Sequence, residues 1–248
     1  MKVITWNVNG IRARQHELGT LLETEQPDIV CLQEIKAAPD KVPELLVSAG
    51  GYWCYWHGAG GYSGVALLVR HSFFTERPAF SHPSFDMETR IVVADMGPLV
   101  AASIYVPNGG KDYESKLRFF DALSVWAGET RRAGRSLLLC GDLNIAREER
   151  DVHPKERKPN QIGTRPEERA HLAALLDHGL VDVGRTLDPD NNELFTWWAP
   201  WRNLRQRNIG WRIDYVIAST ELAATAAESR SMREFGTSDH GPVVATFR

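Results

Sequence analysis

Apolar and polar positions along the chain sort into short strand-like runs separated by amphipathic helical stretches. Residues 2–8 (KVITWNV) have the β-branched and aromatic content of a buried strand, stopped by Asn9-Gly10. The spacing over 12–25 predicts a helix with Leu18, Leu21 and Leu22 on one face, ended by Pro27-Asp28. IVCLQ (29–33) then reads as a second strand, 41–48 as a short helix, and YWCYW (52–56) as another strand. GVALLV (64–69), RIVVADM (90–96) and VAASIYV (100–106) read as three successive strands without crossover helices, which predicts an antiparallel meander.

A longer helix fits 112–132, where Tyr113, Leu117, Phe120, Leu123 and Trp126 fall near helical spacing. SLLLCGD (136–142) is an apolar strand that breaks into a loop. Helix returns at 166–178, opened by Pro166 with Glu167 and Glu168 beside the positive end of its dipole. LFTWW (194–198), RIDYVIAS (212–219) and PVVATFR (242–248) supply the remaining strands. Strands and helices without strict βαβ alternation point to an α+β or sandwich-type layered fold and away from a Rossmann sheet. No linker divides the chain, so residues 1–248 are expected to form one domain. The polar stretch 147–165 reads as a long surface loop, a length that in compact domains usually marks function or mobility.

Composition adds constraints. Hydrophobic residues are 43% and charged residues 25% of the chain, enough for a core without staples. The three cysteines, Cys31, Cys54 and Cys140, sit among apolar neighbours with no metal-type spacing, which fits small core residues in a reducing cytoplasm. The N-terminus shows no leader pattern, and no run approaches the ~20 apolar residues a membrane crossing needs. A cytoplasmic location is therefore expected, with a monomer as the default state and no obligate protein partner. Net charge is -3, so no global basic field advertises a nucleic acid; only local charge can decide phosphate affinity.

Polar residues emerge from the ends of the apolar runs: Asn7, Glu34, Asp142 with Asn144, and Asp239-His240. Asp214 lies within an apolar run and needs a cation or donor, with Arg212 one candidate. Taken singly, Asn7 or Asp142 is an ordinary turn former and His240 an ordinary structural histidine. Their recurrence at strand ends, which a layered sheet would bring to one edge, raises them as a group. The residue types suit one reaction. A hard ion such as Mg2+, with Mn2+ as an alternative, takes carboxylate and amide oxygens, here Glu34, Asn7 and Asp239. A His–Asp pair such as His240 with Asp214 holds an imidazole charged and aimed at a phosphate oxygen. No His/Cys set competes for zinc by its spacing, and no P-loop, nucleophile elbow or dinucleotide fingerprint is present. Metal-assisted hydrolysis of a phosphoester is the chemistry left.

The short motifs also occur in a recognisable order: WNVNG, LQE, YVPNG, GDLN, GWRIDY and SDHGPV. Together, from residue 1 to 248, they make the chain resemble exonuclease III and its abasic-endonuclease relatives in the endonuclease/exonuclease/phosphatase superfamily. That resemblance implies a four-layer α/β/β/α sandwich of two mixed sheets packed face to face, with the site at one end. It implies Glu34 as principal metal ligand, helped by Asn7 and Asp239, with Asp142 and Asn144 adjoining the metal. Asp142 would orient or deprotonate the attacking water, and Asn144 would steady it or the phosphate. His240, oriented by Asp214 or by Asp239, would neutralise the phosphate, with Tyr105 on the phosphate or the leaving oxygen. The implied reaction is in-line attack of water on phosphorus 5′ to an abasic site, leaving a 3′-hydroxyl and a 5′-deoxyribose phosphate, with 3′→5′ exonuclease and 3′-end-cleaning activity beside it.

The metal core alone does not name a substrate, because the superfamily also holds lipid and inositol phosphatases. A catalytically silent DNA-binding protein is a further alternative, though such a protein has no use for Glu34 with Asp142 and His240. The substrate signal is WRNLRQRNIGWR (201–212), a basic stripe interleaved with aromatics and lacking any acidic residue. Within it Arg202, Arg205 and Arg207 are expected on DNA phosphates, and Trp201 as a wedge into the duplex beside the lesion. The resemblance places Trp197, Trp211 and Ile213 around a pocket for a flipped-out abasic sugar, Lys111 near the duplex and Asn108 on a phosphate. The expected partner is thus double-stranded DNA with abasic sites or 3′ ends. The chain departs from its relatives at GTRPEER, where Thr164 and Arg165 replace an ordinarily apolar stretch.

Overall fold

The structure, a computed structural model, describes residues 1–248. The chain runs β1 (Lys2–Asn7), α1 (Gln15–Glu25), β2 (Ile29–Gln33), α2 (Glu44–Val47), β3 (Tyr52–His57), β4 (Val65–Arg70), β5 (Ala79–Ser81), β6 (Ile91–Met96) and β7 (Leu99–Tyr105). It continues through α3 (Tyr113–Arg132), β8 (Ser136–Asp142), α4 (Pro166–Leu176), β9 (Leu180–Asp182), α5 (Val183–Leu187), β10 (Asp214–Ser219), α6 (Thr220–Ala223), β11 (Ala226–Ser231) and β12 (Val243–Phe247). Two six-stranded sheets result, ordered β11-β12-β1-β2-β4-β3 and β5-β6-β7-β8-β10-β9. Both are mixed: β1/β2 and β7/β8 are parallel, joined over α1 and α3, and the other pairs are antiparallel.

The near-continuous apolar runs follow from burial on both faces of each sheet. Val3, Ile29, Cys31 and Leu67 point between the sheets and meet Ala94, Ala101, Leu138, Cys140 and Val216 from the other side. The alternate residues Ile4, Trp6, Val30 and Leu32 face outward under Leu18 and Leu21 of α1 and Leu46 of α2. On the opposite outer face, Ile104, Leu137 and Leu139 pack beneath Phe119, Phe120 and Leu123 of α3 and Leu172 and Leu175 of α4. This gives helix, sheet, sheet and helix in four layers.

The expected three-strand meander is not what forms. Of the three, only β6 and β7 pair with each other; β4 lies in the other sheet, between β2 and β3. The connection from Arg70 to Ile91 is long enough to cross the sandwich, and it lays down β5 on arrival. LFTWW is not a strand: Trp197 alone makes bridges, to Trp211 and His240. The strand expected from 212 begins at Asp214.

The polar stretch 147–165 is anchored. Fully buried Asp151 accepts from Arg185 and Arg212, and Arg212 also holds Asp182 on β9. Arg212 is therefore the partner of Asp151 and Asp182, and not of Asp214. Close approach of β8 to β7 at the strand ends demands Gly141, where a Cβ would lie 1.8 Å from the Ile104 carbonyl oxygen.

Candidate active site

Strand direction explains why distant polar residues meet. β1 and β2 are parallel and end at Asn7 and, one residue past β2, at Glu34. β7 and β8 are parallel and end together, with Tyr105 in register with Asp142. β10 runs the opposite way, so its first residue, Asp214, also registers with Asp142. β12 is antiparallel to β1, which brings the preceding Asp239 and His240 to the same end. Glu34, and Asn144 two residues past β8, have φ of 50° and 52°, values that turn the chain sharply out of each strand.

His240 is buried and contacts Asp214 through Nδ1, at 2.9 and 3.1 Å from the two carboxylate oxygens. Burial alone would discharge the ring, but the carboxylates of Asp214, Asp142 and Asp239, Asp214 foremost, together outweigh it and raise the His240 pKa to about 10. The ring is then an imidazolium that donates through Nδ1 to Asp214, with Nε2 free to donate and 3.8 Å from Asp142 Oδ2. Asp214 is itself fixed by the Thr196 hydroxyl at 2.6 Å, and Thr196 accepts the backbone N–H of Ile213 and Asp214. Asp239, the other candidate to orient His240, instead accepts from the amide of Asn9 at 2.8 Å and the indole of Trp197 at 2.9 Å.

Asp142 is buried and its pKa is raised to about 7, by loss of solvent first and by the negative charge of Asp214 second. Asn7 bridges it to Glu34, donating from Nδ2 to Glu34 Oε1 at 2.9 Å and to Asp142 Oδ2 at 3.0 Å. Glu34 also receives Lys36 at 2.8 Å, and despite burial these donors hold its pKa below the ordinary value. Burial and the carboxylates of Glu34 and Asp142 push the Tyr105 phenol upward, so it remains a proton donor.

The donor set fits a hard divalent ion. Oxygens of Glu34 and Asp142 and a nitrogen of His240 lie within 4.8 Å of one another. Burial first, and then the carboxylates of Asp214 and Glu34, raise the pKa of Asp142, and a cation beside Glu34 and Asp142 would favour its charged form. Two more of the expected ligands are tied in by hydrogen bonds at this end of the sheets. Asn7 turns its NH2 to the carboxylates while its oxygen accepts from the Asn9 N–H, so here it positions Glu34 and Asp142. Asn144 donates to the Val106 carbonyl and accepts from Asn108, which pairs the two amides at the cavity wall.

A cavity of about 700 Å³ opens over this cluster. Tyr105, Asn108, Lys111, Trp197, Trp211 and Ile213 line it together with the carboxylates and His240. Trp197 and Trp211 meet edge to face, with ring centroids 6.1 Å apart. Gly163 closes on Trp211, where a Cβ would stand 3.1 Å from the ring. The arginine stripe divides. Arg202 and Arg207 are exposed beside Trp201, which is 58% exposed. Arg205 is not available to phosphates: its guanidinium donates to the carbonyls of Arg233, Phe235, Gly236 and Ser238 and lies over Trp198.

Four residues at the site carried no signal in the apolar pattern. Arg90, only 2% exposed, lies over the rings of Tyr62 and Tyr105 and lines the cavity. Lys36 reaches Glu34 from a left-handed turn (φ 50°) just past β2. Lys116 on α3 and Glu168 on α4 form a fully buried pair at 2.5 Å. Lys116 also binds the Asn108 and Asn144 carbonyls, and Glu168 accepts the Gly163 N–H, so this pair braces three parts of the cavity wall.

A double-sheet sandwich bearing carboxylates, a charged histidine and a cavity at its strand ends defines a class of phosphoester hydrolases. The Endonuclease/Exonuclease/phosphatase family model matches residues 4–240, and the chain belongs to that family. Over its full length it is 32% identical to exodeoxyribonuclease III of Haemophilus influenzae, covering all of that protein. With DNA repair nuclease APEX1 of Danio rerio it shares 34% identity over 98% of the chain and 81% of the relative. It is 32% identical to recombination repair protein 1 of Drosophila melanogaster but spans only 37% of that protein's length. Among solved structures, a 3′ phosphatase from Neisseria bound to a product DNA hairpin superposes with a TM-score of 0.91 at 31% identity, over all of this chain and 99% of that one. An AP endonuclease from Archaeoglobus fulgidus gives 0.90 at 29% identity, with the same coverage.

Proposed function

We propose that this chain is a DNA repair nuclease that hydrolyses the phosphodiester 5′ to abasic sites and trims and cleans 3′ ends. The observation that carries the reading is the convergence of Glu34, Asp142 and the Asp214-charged His240 on one cavity whose other wall is Trp197, Trp211 and Ile213. The relatives known as DNA repair nucleases, a 3′ phosphatase and an AP endonuclease support it.

The chain's own groups divide the work. A divalent ion held by Glu34 and Asp142, Mg2+ by the hardness of the oxygens, would supply Lewis-acid stabilisation of the phosphate. Asp142 lines the cavity beside Asn144 and takes the proton of the attacking water. Asn144 and Asn108 face the same space and offer amides to water and phosphate. The His240 imidazolium neutralises a non-bridging oxygen, and Tyr105 donates toward the leaving oxygen. Asp214, Thr196 and Asn7 position these groups. Trp197, Trp211 and Ile213 form an apolar slot for a sugar without a base, whose extrusion forfeits little stacking. Lys111, Arg202 and Arg207 meet phosphates, and Trp201 wedges into the duplex.

No helix is long and apolar enough to cross a membrane. With three unpaired cysteines the reading takes the chain as a cytoplasmic monomer. Mg2+-dependent incision of a duplex carrying one abasic analogue is its test.

A further inference from the structure

Away from the catalytic end, a second cluster of metal-type ligands forms where the two sheets meet at their edges. His57 closes β3 on the edge of one sheet, while His82 and Asp86 follow β5 on the edge of the other. Ligand atoms of the three lie within 4.8 Å of one another. The positions 57, 82 and 86 match no metal motif, so only the packing of the sandwich assembles them.

We propose that His57, His82 and Asp86 form a second, nitrogen-rich site for a borderline divalent cation such as Zn2+, with Co2+ and Ni2+ as surrogates. Two imidazoles and one carboxylate form a set that such ions prefer and Mg2+ does not. The carboxylate is held as metal-binding carboxylates are: Asp86 Oδ1 accepts the backbone N–H of Arg90 at 2.8 Å and of Ile91 at 3.1 Å, leaving Oδ2 to face His57 Nε2 at 2.6 Å. His57 and Asp86 are mostly buried, with side chains 15% and 10% exposed, whereas His82 is exposed. Two ligands are thus held side by side and the third is free to approach.

The geometry says what must move. Ligand atoms about a four-coordinate Zn2+ stand ~3.3 Å apart, given metal–ligand distances of about 2.0–2.1 Å. His57 Nε2 and Asp86 Oδ2 must therefore part by a little over half an ångström. His57 and His82 are stacked, with centroids 4.5 Å apart and planes 9° from parallel. Lone pairs in parallel ring planes cannot converge on one ion, so His82 must tilt out of the stack. Its exposure leaves room for that, and an open coordination position remains for water.

The site would act on the catalytic cavity through its wall. Met87, Glu88 and Arg90, just beyond Asp86, line that cavity. A cation fixing Asp86 to His57 ties this segment to β3 and stiffens the support of Arg90.

Co2+ absorption and Zn2+ titration by calorimetry test the proposal on the intact chain. The background is Glu34→Gln with Asp142→Asn, which disables the other cluster. One equivalent should bind, with ligand-field bands of a nitrogen–oxygen site, and should raise the melting temperature. His82→Ala, an exposed change that leaves the fold intact, should weaken binding more than about tenfold, because even losing a group that only hydrogen-bonds a metal ligand costs that much. His57→Gln should do the same, its melting temperature without metal confirming that it folds. Absence of binding to the background protein, or binding that His82→Ala leaves unchanged, would overturn the proposal and leave His57–Asp86 a structural strut.

Discussion

Asp214 holds His240 from beneath: the imidazole Nδ1 stands 2.9 Å from a carboxylate oxygen that Thr196 fixes at 2.6 Å. This pairing is the chief support of the ring's charge, with Asp142 and Asp239 adding to it against the burial that would discharge it. Asp214→Asn should return the ring toward neutrality at pH 7. Its expected cost is about 10²–10³-fold in kcat, the usual loss when one preorganised charge is removed from a transition state. NMR titration of His240 in both proteins checks the cause, and single-turnover cleavage checks the consequence.

The same pair sets a pH dependence of stability. The folded pKa of His240, about 10, exceeds the unfolded value near 6.5, so the folded state binds the proton more tightly. The stabilisation is fully present below pH 6.5 and is lost as pH rises through 10. The stability difference between wild type and His240→Gln should therefore shrink across that window, measured by denaturant melts at several pH values. For activity, Asp142 must lose its proton; burial raises its pKa and a cation beside it lowers it, so the acid limb of the profile should move to lower pH as Mg2+ is raised.

Asp142→Asn should keep DNA binding and lose cleavage by about 10²–10⁴-fold, the range for a general base. Fluorescence anisotropy against gel-based incision separates the two. Loss of binding together with folding would make Asp142 a structural residue.

The buried Lys116–Glu168 pair predicts an asymmetric result. Lys116→Met leaves a carboxylate buried beside carbonyl oxygens and should destabilise the fold by about 3–5 kcal/mol. The double change to Met and Gln should recover part of that loss. Chemical denaturation reads both.

Much of this was legible in the sequence because buried strands advertise themselves. Runs such as VITW, IVCL and SLLLC are apolar at both alternations since both faces are covered, and the polar residues that end them become the site. What stayed hidden depends on contacts across the chain. The sheet to which β4 belongs is decided by packing, because its sequence suits either. β11, AAESRS, is a polar edge strand recognisable only by its partner β12. Lys116 reads as a surface lysine until Glu168, 52 residues on, is brought to it. The arginine stripe misled for the same reason: composition cannot separate Arg202 and Arg207, which face solvent, from Arg205, which staples carbonyls.

That division is testable. Arg202→Ala and Arg207→Ala should each lower the salt dependence of DNA binding by about one unit of slope, with stability unchanged. Arg205→Ala should lower stability instead. Trp201→Ala should cost ~1–3 kcal/mol of affinity for abasic DNA, the range for one stacking contact. Equal affinity of the Trp201 variant and wild type would end the wedge reading.

The central claim is tested most directly by incubating the protein with a duplex carrying a single abasic analogue, with Mg2+ and with chelator. The account predicts Mg2+-dependent incision on the 5′ side of the lesion, leaving a 3′-hydroxyl, with undamaged duplex cut far more slowly. A folded protein that leaves this substrate intact under both Mg2+ and Mn2+ would contradict it.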